Sequence, residues 1–276
     1  MGHRRVGGAA PLGDLSRALR GLPLWVLYVF LYLPIAVVVV MSFNSSKNPF
    51  LWTGFSLEWY PALLQDADIM GGLRTTLVVA VGTTVISVVL GTLLALALER
   101  YFPSRFLDAA AAAPAVMPDI MLAIGLLAFY TLVGFTLGPV SVILAHAVFG
   151  IAFVTAVVRV RLAGMDSSLE EASRDLGASA VRTFWKVTLP GLRPAILAGA
   201  LLAFTLSLDE FTVAFFTASP SEPTLPIVIY SSVRFGVTPQ VNALATLLLL
   251  VSFVAVLLAQ RTARLSDSLR RRETSS

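Results

Sequence analysis

Cysteine is absent from the 276 residues, so no disulfide and no thiolate metal site can form. Two histidines, His3 and His146, are too few for an imidazole-rich metal centre. Lysine is as scarce, with Lys47 and Lys186 alone. A phosphate-cradling loop of the form G-x-x-x-x-G-K-[ST] needs glycine before its lysine, and here Ser46 and Trp185 stand in that place. That device for holding ATP is excluded. Charge is thin too: 13% of residues are charged against about 25% in an average soluble domain, and 57% are apolar. Such a chain needs lipid as its solvent. The same shortages leave no convincing nucleophile–base or metal constellation for a membrane enzyme. No internal repeat of the kind an ion-driven secondary transporter would usually show is visible either.

Long apolar runs are what the chain does have. Stretches 24–43, 75–98, 109–133, 140–158, 194–217 and 241–260 match the roughly 20 residues that a helix rising 1.5 Å per residue needs to cross a core of about 30 Å. The expectation is an all-α polytopic membrane protein with six transmembrane helices. Four basic residues precede the first span, two lie between the second and third, six between the fourth and fifth, and five after the last. Only Lys47, Arg74 and Arg234 fall on the opposite side. The positive-inside rule places the rich side, with both termini, in the cytoplasm. This divides the chain into a cytoplasmic tail 1–23, a membrane domain 24–260 with a cytoplasmic loop 159–193, and a second tail 261–276. The first apolar block exceeds the usual 7 to 15 residue core of a secretion signal, and Met41-Ser42-Phe43-Asn44 offers no small-x-small cleavage site, so it is read as a retained anchor.

Two loops stand out. The outer one, 44–72, holds Trp52, Phe55, Leu57, Trp59, Tyr60, Leu63 and Leu64, and from Leu57 onward their spacing suits a short interfacial helix with aromatic anchors. The inner one begins with Ser167-Ser168-Leu169-Glu170, an S-x-x-E capping box in which the Ser167 hydroxyl and the Glu170 carboxylate would each accept the other's amide. The helix so started meets Gly177, suited to the left-handed conformation that ends a helix. A second helix from Ser179 would show Val181, Phe184, Trp185 and Thr188 on one face and stop at Leu189-Pro190. Two short helices with a glycine elbow make either a rigid docking knob or an amphipathic loop on the membrane surface.

Glu171-Ala172-Ser173, three residues, Gly177, nine residues and Val187-Thr188-Leu189-Pro190 resemble the EAA motif of ATP-binding-cassette importer permeases, EAA-x3-G-x9-I-x-LP. Ser173 replaces the second alanine and Val187 the isoleucine. Phe43-Asn44-Ser45-Ser46, Gly54-Phe55-Ser56-Leu57-Glu58-Trp59-Tyr60, Met117-Pro118-Asp119, Ser207-Leu208-Asp209-Glu210-Phe211 and the run from Gly236 to Thr246 resemble the C-type permeases of spermidine/putrescine importers. The resemblance implies a type I importer permease fold in a bacterial inner membrane. It implies that Glu170, Glu171, Ala172, Ser173, Asp175, Leu176, Gly177 and Ala178 couple to a separate ATPase. It further implies a second permease, two copies of that ATPase holding ATP and magnesium, an external solute-binding protein, surrounding lipid, no nucleic acid, and no cofactor on this chain. Polyamine is the leading cargo. Relatives carrying other amine-bearing solutes, aminoethylphosphonate among them, share much of the pattern.

Acids inside a span cost about 2.5 to 3.5 kcal/mol each on insertion scales and usually face the bundle interior or water. Asp209 lies 16 residues beyond Arg193, about 24 Å of helical rise, in the outer half of the membrane. Asp209 and Glu210 are pathway candidates for a cationic cargo, or else caps near the outer headgroups. Adjacent positions on a helix differ by about 100°, which selects Asp209 for the pathway and leaves Glu210 to packing or a partner contact. Pro118 with Pro114 interrupts the third span and frees backbone carbonyls that can face a cavity, and Asp119, which follows Pro118, either lines the route or accepts amides where the helix restarts. Phe211, Phe215, Phe216 and Tyr230 either stack on a cation or pack. His146 is either a proton relay or a hydrogen-bonded core residue.

Overall fold

The structure, a computed structural model, describes residues 12–46, 48, 51–251, 253 and 254, with side chains from Trp25 onward, Phe235 excepted. Both ends of the chain, with the basic residues assigned to positions 1–11 and 255–276, Lys47, and the far end of the span 241–260, lie outside these. Among the described residues the regular elements are helices. They run α1 Leu12–Met41, α2 Trp59–Gln65, α3 Ala67–Leu96, α4 Arg105–Val116, α5 Asp119–Leu132, α6 Pro139–Ala163, α7 Ser168–Asp175, α8 Ala180–Thr183, α9 Leu189–Asp209, α10 Thr212–Thr217, α11 Leu225–Phe235 and α12 Pro239–Val251. Two compact units divide the fold: one takes Asp66–Ser231, the other the residues up to Gln65 and from Ser232 onward.

The Asp66–Ser231 unit is built on α3, α6 and α9. Asp66 caps α3 by accepting from the amides of Asp68 and Ile69, both at 3.1 Å. The helix then runs through a π turn, Ala97–Tyr101, to reach 35 residues, or about 52 Å. Oil is no better a solvent for leucine than a neighbouring helix is, so close backbone approach must supply the attraction. Gly91 packs where a Cβ would sit 2.8 Å from Val154, and at Gly150 a Cβ would sit 2.3 Å from the Ser87 hydroxyl. Thr155 ties the same helices, donating to Gly91 O at 3.2 Å as well as to Ile151 O at 2.7 Å. Ala95, Leu96, Val154, Val158, Leu162, Leu192 and Ala203 close the core between them.

Two expected spans take a different form. Residues 109–133 do not make one straight helix: α4 and α5 meet at 103° across Met117-Pro118. Pro118 has no amide and drives the residue before it out of the helical region, and Met117 is extended at ψ 142°. Pro114 is accommodated inside α4. At 12 and 14 residues neither arm alone crosses about 30 Å of hydrocarbon. The stretch 194–217 also divides, because α9 ends at Asp209 and Glu210 is extended, with φ −67° and ψ 112°. Among the described residues, three helices are long and apolar enough to cross a membrane, or four if the bent pair counts as one span.

In the other unit, the segment after α1 turns back around Asn44. Asn44 is buried and forms an isolated antiparallel bridge with Phe55. Its side-chain amide donates to Leu51 O at 2.8 Å, and its own carbonyl accepts from Trp59 Nε1 at 2.7 Å. Ser42 Oγ lies 2.8 Å from Tyr60 OH, while Phe43 stacks on Phe55 with centroids 5.4 Å apart. The short helix expected from Leu57 onward is α2, with Leu63 buried and Leu64 exposed.

Candidate functional site

Two constellations within Asp66–Ser231 carry the functional candidates. The first is the loop between α6 and α9. Its helix α7 does not begin with the expected capping box. Ser167 makes no side-chain cap, and Asp166 Oδ1 instead accepts the Ser168 amide at 2.9 Å. Bonds from Ser168 hold the Asp166 carboxyl below its usual range despite a small opposing desolvation. The Glu170 carboxylate is occupied elsewhere: Oε1 accepts from Arg100 at 2.6 Å and from the Thr188 hydroxyl at 2.5 Å, and Arg174 lies 4.0 Å from Oε2. Burial pushes the Glu170 carboxyl up, but the bonds from Arg100 and Thr188 with the charges of Arg100 and Arg174 outweigh it and hold the group below its ordinary value.

Gly177 adopts φ +80°, and its amide donates to Arg174 O at 2.8 Å while the Ala178 amide donates to Ser173 O at 3.1 Å, which closes the helix end. Ser179 starts the next helix by accepting the Arg182 amide at 3.4 Å. Pro190 does not end that helix. Phe184–Thr188 form a π turn and the chain passes unbroken into α9, where Pro190 sits in the first turn and has no amide to lose. The single apolar face expected at Val181, Phe184, Trp185 and Thr188 is also divided. Thr188 is buried and Phe184 packs on the core, whereas Val181 and Trp185 are exposed. Glu171, Ala172, Asp175, Leu176 and Gly177 are exposed as well, and Leu176, at 88%, is among the most exposed apolar side chains of the fold. Ser173 and Ala178 are half-buried.

The second constellation gathers at the far end of α9. Asp209 is that helix's last residue and is exposed. The 100° argument does not apply to its neighbour, since Glu210 lies outside the helix. Glu210 turns to cap α10, accepting the Val213 amide at 2.7 Å. Asp119, the exposed first residue of α5, and Asp209 both lie within electrostatic range of Glu210. Beside them Phe211 and Tyr230 meet at 4.8 Å between centroids, and Phe215 joins both at 5.4 and 6.0 Å. Phe216 stacks edge-on to Phe215 at 5.6 Å and packs into the α5–α6 core. His146 is fully buried, with Nδ1 2.8 Å from Ser207 Oγ and its ring against Phe149.

Sequence reasoning missed the pairing of Arg100, Glu99, Asp108 and Arg159, and read Thr188 as part of an apolar face and not as a partner of Glu170. Arg159 bonds Glu99 at 3.2 Å and Asp108 at 2.8 Å. The available signal was the Glu99-Arg100 dipeptide at the end of an apolar run, where charge is expensive unless paired.

A family model described as binding-protein-dependent transport system inner membrane component matches residues 87–272. The chain is 40% identical over 252 residues to the spermidine/putrescine transport system permease protein PotC of Escherichia coli (strain K12), covering 91% of this chain and 96% of that one. It is 40% identical over 247 residues to the putrescine transport system permease protein PotI of the same organism, covering 85% and 88%. Among solved structures, a bacterial ABC transporter involved in the import of the acidic polysaccharide alginate aligns with TM-score 0.70 at 17% identity, over 93% of this chain and 99% of that one. The MetNI methionine ABC transporter aligns with TM-score 0.57 at 22% identity, over 76% and 98%. These two likenesses are of fold.

Proposed function

The chain belongs to the binding-protein-dependent transport system inner membrane components, and from that membership we propose that it is the permease subunit of an ATP-driven importer of polyamines, spermidine and putrescine. The observation that carries the cargo is the 40% identity, across 91% and 85% of this chain, to two permeases that are both named for putrescine transport.

On this reading six spans lie between residues 24 and 260 with both termini cytoplasmic, and a second permease completes the pathway. Two copies of a cytoplasmic ATPase hold ATP and magnesium, and an external solute-binding protein delivers the cargo. Glu171, Ala172, Ser173, Asp175, Leu176, Gly177 and Ala178 form the surface that meets the ATPase, with exposed Leu169, Val181 and Trp185 as apolar anchors. Glu170 does not reach that surface; it fixes α7 to its own chain. At the outer end, a groove of about 380 Å³ bordered by Asp68, Arg74 and Glu222 is what the delivery protein would meet.

A polyamine is a chain of ammonium groups separated by methylenes. The carboxylates of Asp209 and Asp119 supply charge for it, and the faces of Phe211 and Tyr230 supply cation–π contact worth about 0.5 to 2 kcal/mol each. Glu210, between Asp209 and Phe211 in the chain, is engaged as the cap of α10.

The test is uptake of labelled putrescine and spermidine by proteoliposomes holding the complete importer. ATP-dependent uptake that survives ionophores is expected. Uptake of aminoethylphosphonate with no polyamine transport would reassign the cargo, and uptake abolished by ionophores with ATP intact would overturn the ATP-driven reading.

A further inference from the structure

The inner end of α3 widens into the π turn Ala97–Tyr101, and such widening recurs at functional positions. The turn carries Glu99 and Arg100, adjacent charges of opposite sign, and different parts of the fold take them. Arg100 holds Glu170 of α7 at 2.6 Å, and Thr188, at the entrance to α9, donates to the same oxygen. Glu99 accepts from Arg159 Nε at 3.2 Å, and Nη1 of that same Arg159 donates to Asp108 of α4 at 2.8 Å. One turn thus joins the loop helix α7 on one side to α4 on the other. Beyond α4 the chain breaks at Met117-Pro118, and α5 opens on Asp119.

Adjacent residues of one helical turn share a peptide bond and cannot be displaced independently. A pull on Arg100 from Glu170 therefore moves Glu99, and with it Arg159 and Asp108. Charge-assisted bonds of this kind are about twice as strong as neutral ones, so the linkage is stiff. The Arg100–Glu170 step is shielded, with side chains 31% and 9% exposed, whereas Arg159, Glu99 and Asp108 are 31%, 33% and 38% exposed and draw on being linked in one network.

We propose that the Glu99–Arg100 turn is a mechanical relay, in which Arg100 and Arg159 are positioning residues that carry movement of α7 to the broken helix bearing Asp119. This deepens the importer reading and rests on it.

The test uses the complete importer in proteoliposomes and reads cargo moved per ATP hydrolysed. Glu170→Gln and Arg159→Gln, which share no ion pair, are made singly and together. Each single variant is expected to lower the ratio about tenfold, and the double variant no further than the worse single, because independent sites would multiply. A double variant near a hundredfold loss overturns the relay, as does either single variant at the parental ratio. Where a glutamine variant yields no complex, Glu170→Asp and Arg159→Lys enter the same cycle. Leu176→Cys in this cysteine-free chain separates the two readings. If it fails to cross-link to the ATPase, the docking assignment falls and the relay with it. If cross-linking is intact while the losses multiply, the relay alone falls.

Discussion

Asp209 and Glu210 are neighbours in sequence with different tasks. Asp209 ends α9 with an exposed carboxylate, whereas Glu210 spends its carboxylate on the Val213 amide. Asp209→Asn is therefore expected to lower the initial rate of polyamine uptake about tenfold, some 1.4 kcal/mol, with no change in the yield of assembled complex. Glu210→Ala should instead cost about 1 kcal/mol of thermal stability through the lost cap. Unchanged uptake by Asp209→Asn would assign that acid to packing. Glu170 adds a pH dependence. Its carboxyl, facing Arg100, Arg174 and Thr188, lies below its ordinary value in the fold. A group depressed on folding stabilises above its unfolded pKa, about 4.3 for glutamate, and the contribution is lost as pH falls through the folded value. The thermal midpoint of the complex should thus fall on acidification below about pH 4.3, and Glu170→Gln should flatten that limb.

At the scale of the element, the loop shows what a sequence can and cannot carry. The glycine elbow was legible because only glycine takes φ +80° cheaply. The break in the third apolar stretch was legible as a pair of prolines, but Pro118 alone makes it, since Pro114 finds room in its helix. The capping box was misread because Asp166, one residue earlier, competes for the helix start, and Glu170 has a stronger partner 70 residues away. Pro190 was misread because the same residue that stops a helix also fits the first turn of the next. Gly177→Val is expected to cost about 1 to 2 kcal/mol locally. The protein should remain in the membrane while ATP hydrolysis proceeds without matching uptake, as measured by the cargo-to-ATP ratio. Normal coupling in a well-expressed variant would refute the elbow's role.

Across the whole molecule, composition and run length read out the membrane class and the helices, because both are local sums over residues. The contacts that organise the candidate sites are not local. Arg100 to Glu170, Arg159 to Glu99 and Arg159 to Asp108 span 70, 60 and 51 positions, and no periodicity announces them. Charge placement connects the two kinds of information, since the basic residues counted for topology include Arg100 and Arg159, which also form these pairs. Arg74 borders the groove beside Asp68 and Glu222, whereas Arg100 lies at the opposite end of the same long helix. In the topology proposed above, the groove faces outward and the π turn faces the cytoplasm. Single cysteines placed at Ser221 and Leu176 in the cysteine-free chain measure this directly. In intact cells with a permeable outer layer, Ser221→Cys should react with a membrane-impermeant maleimide and Leu176→Cys should not. Inverted vesicles should reverse the pattern. Labelling of Leu176→Cys from outside would put the loop on the wrong face for any cytoplasmic ATPase, and the ion pairs behind it would then be scaffolding with nothing to transmit.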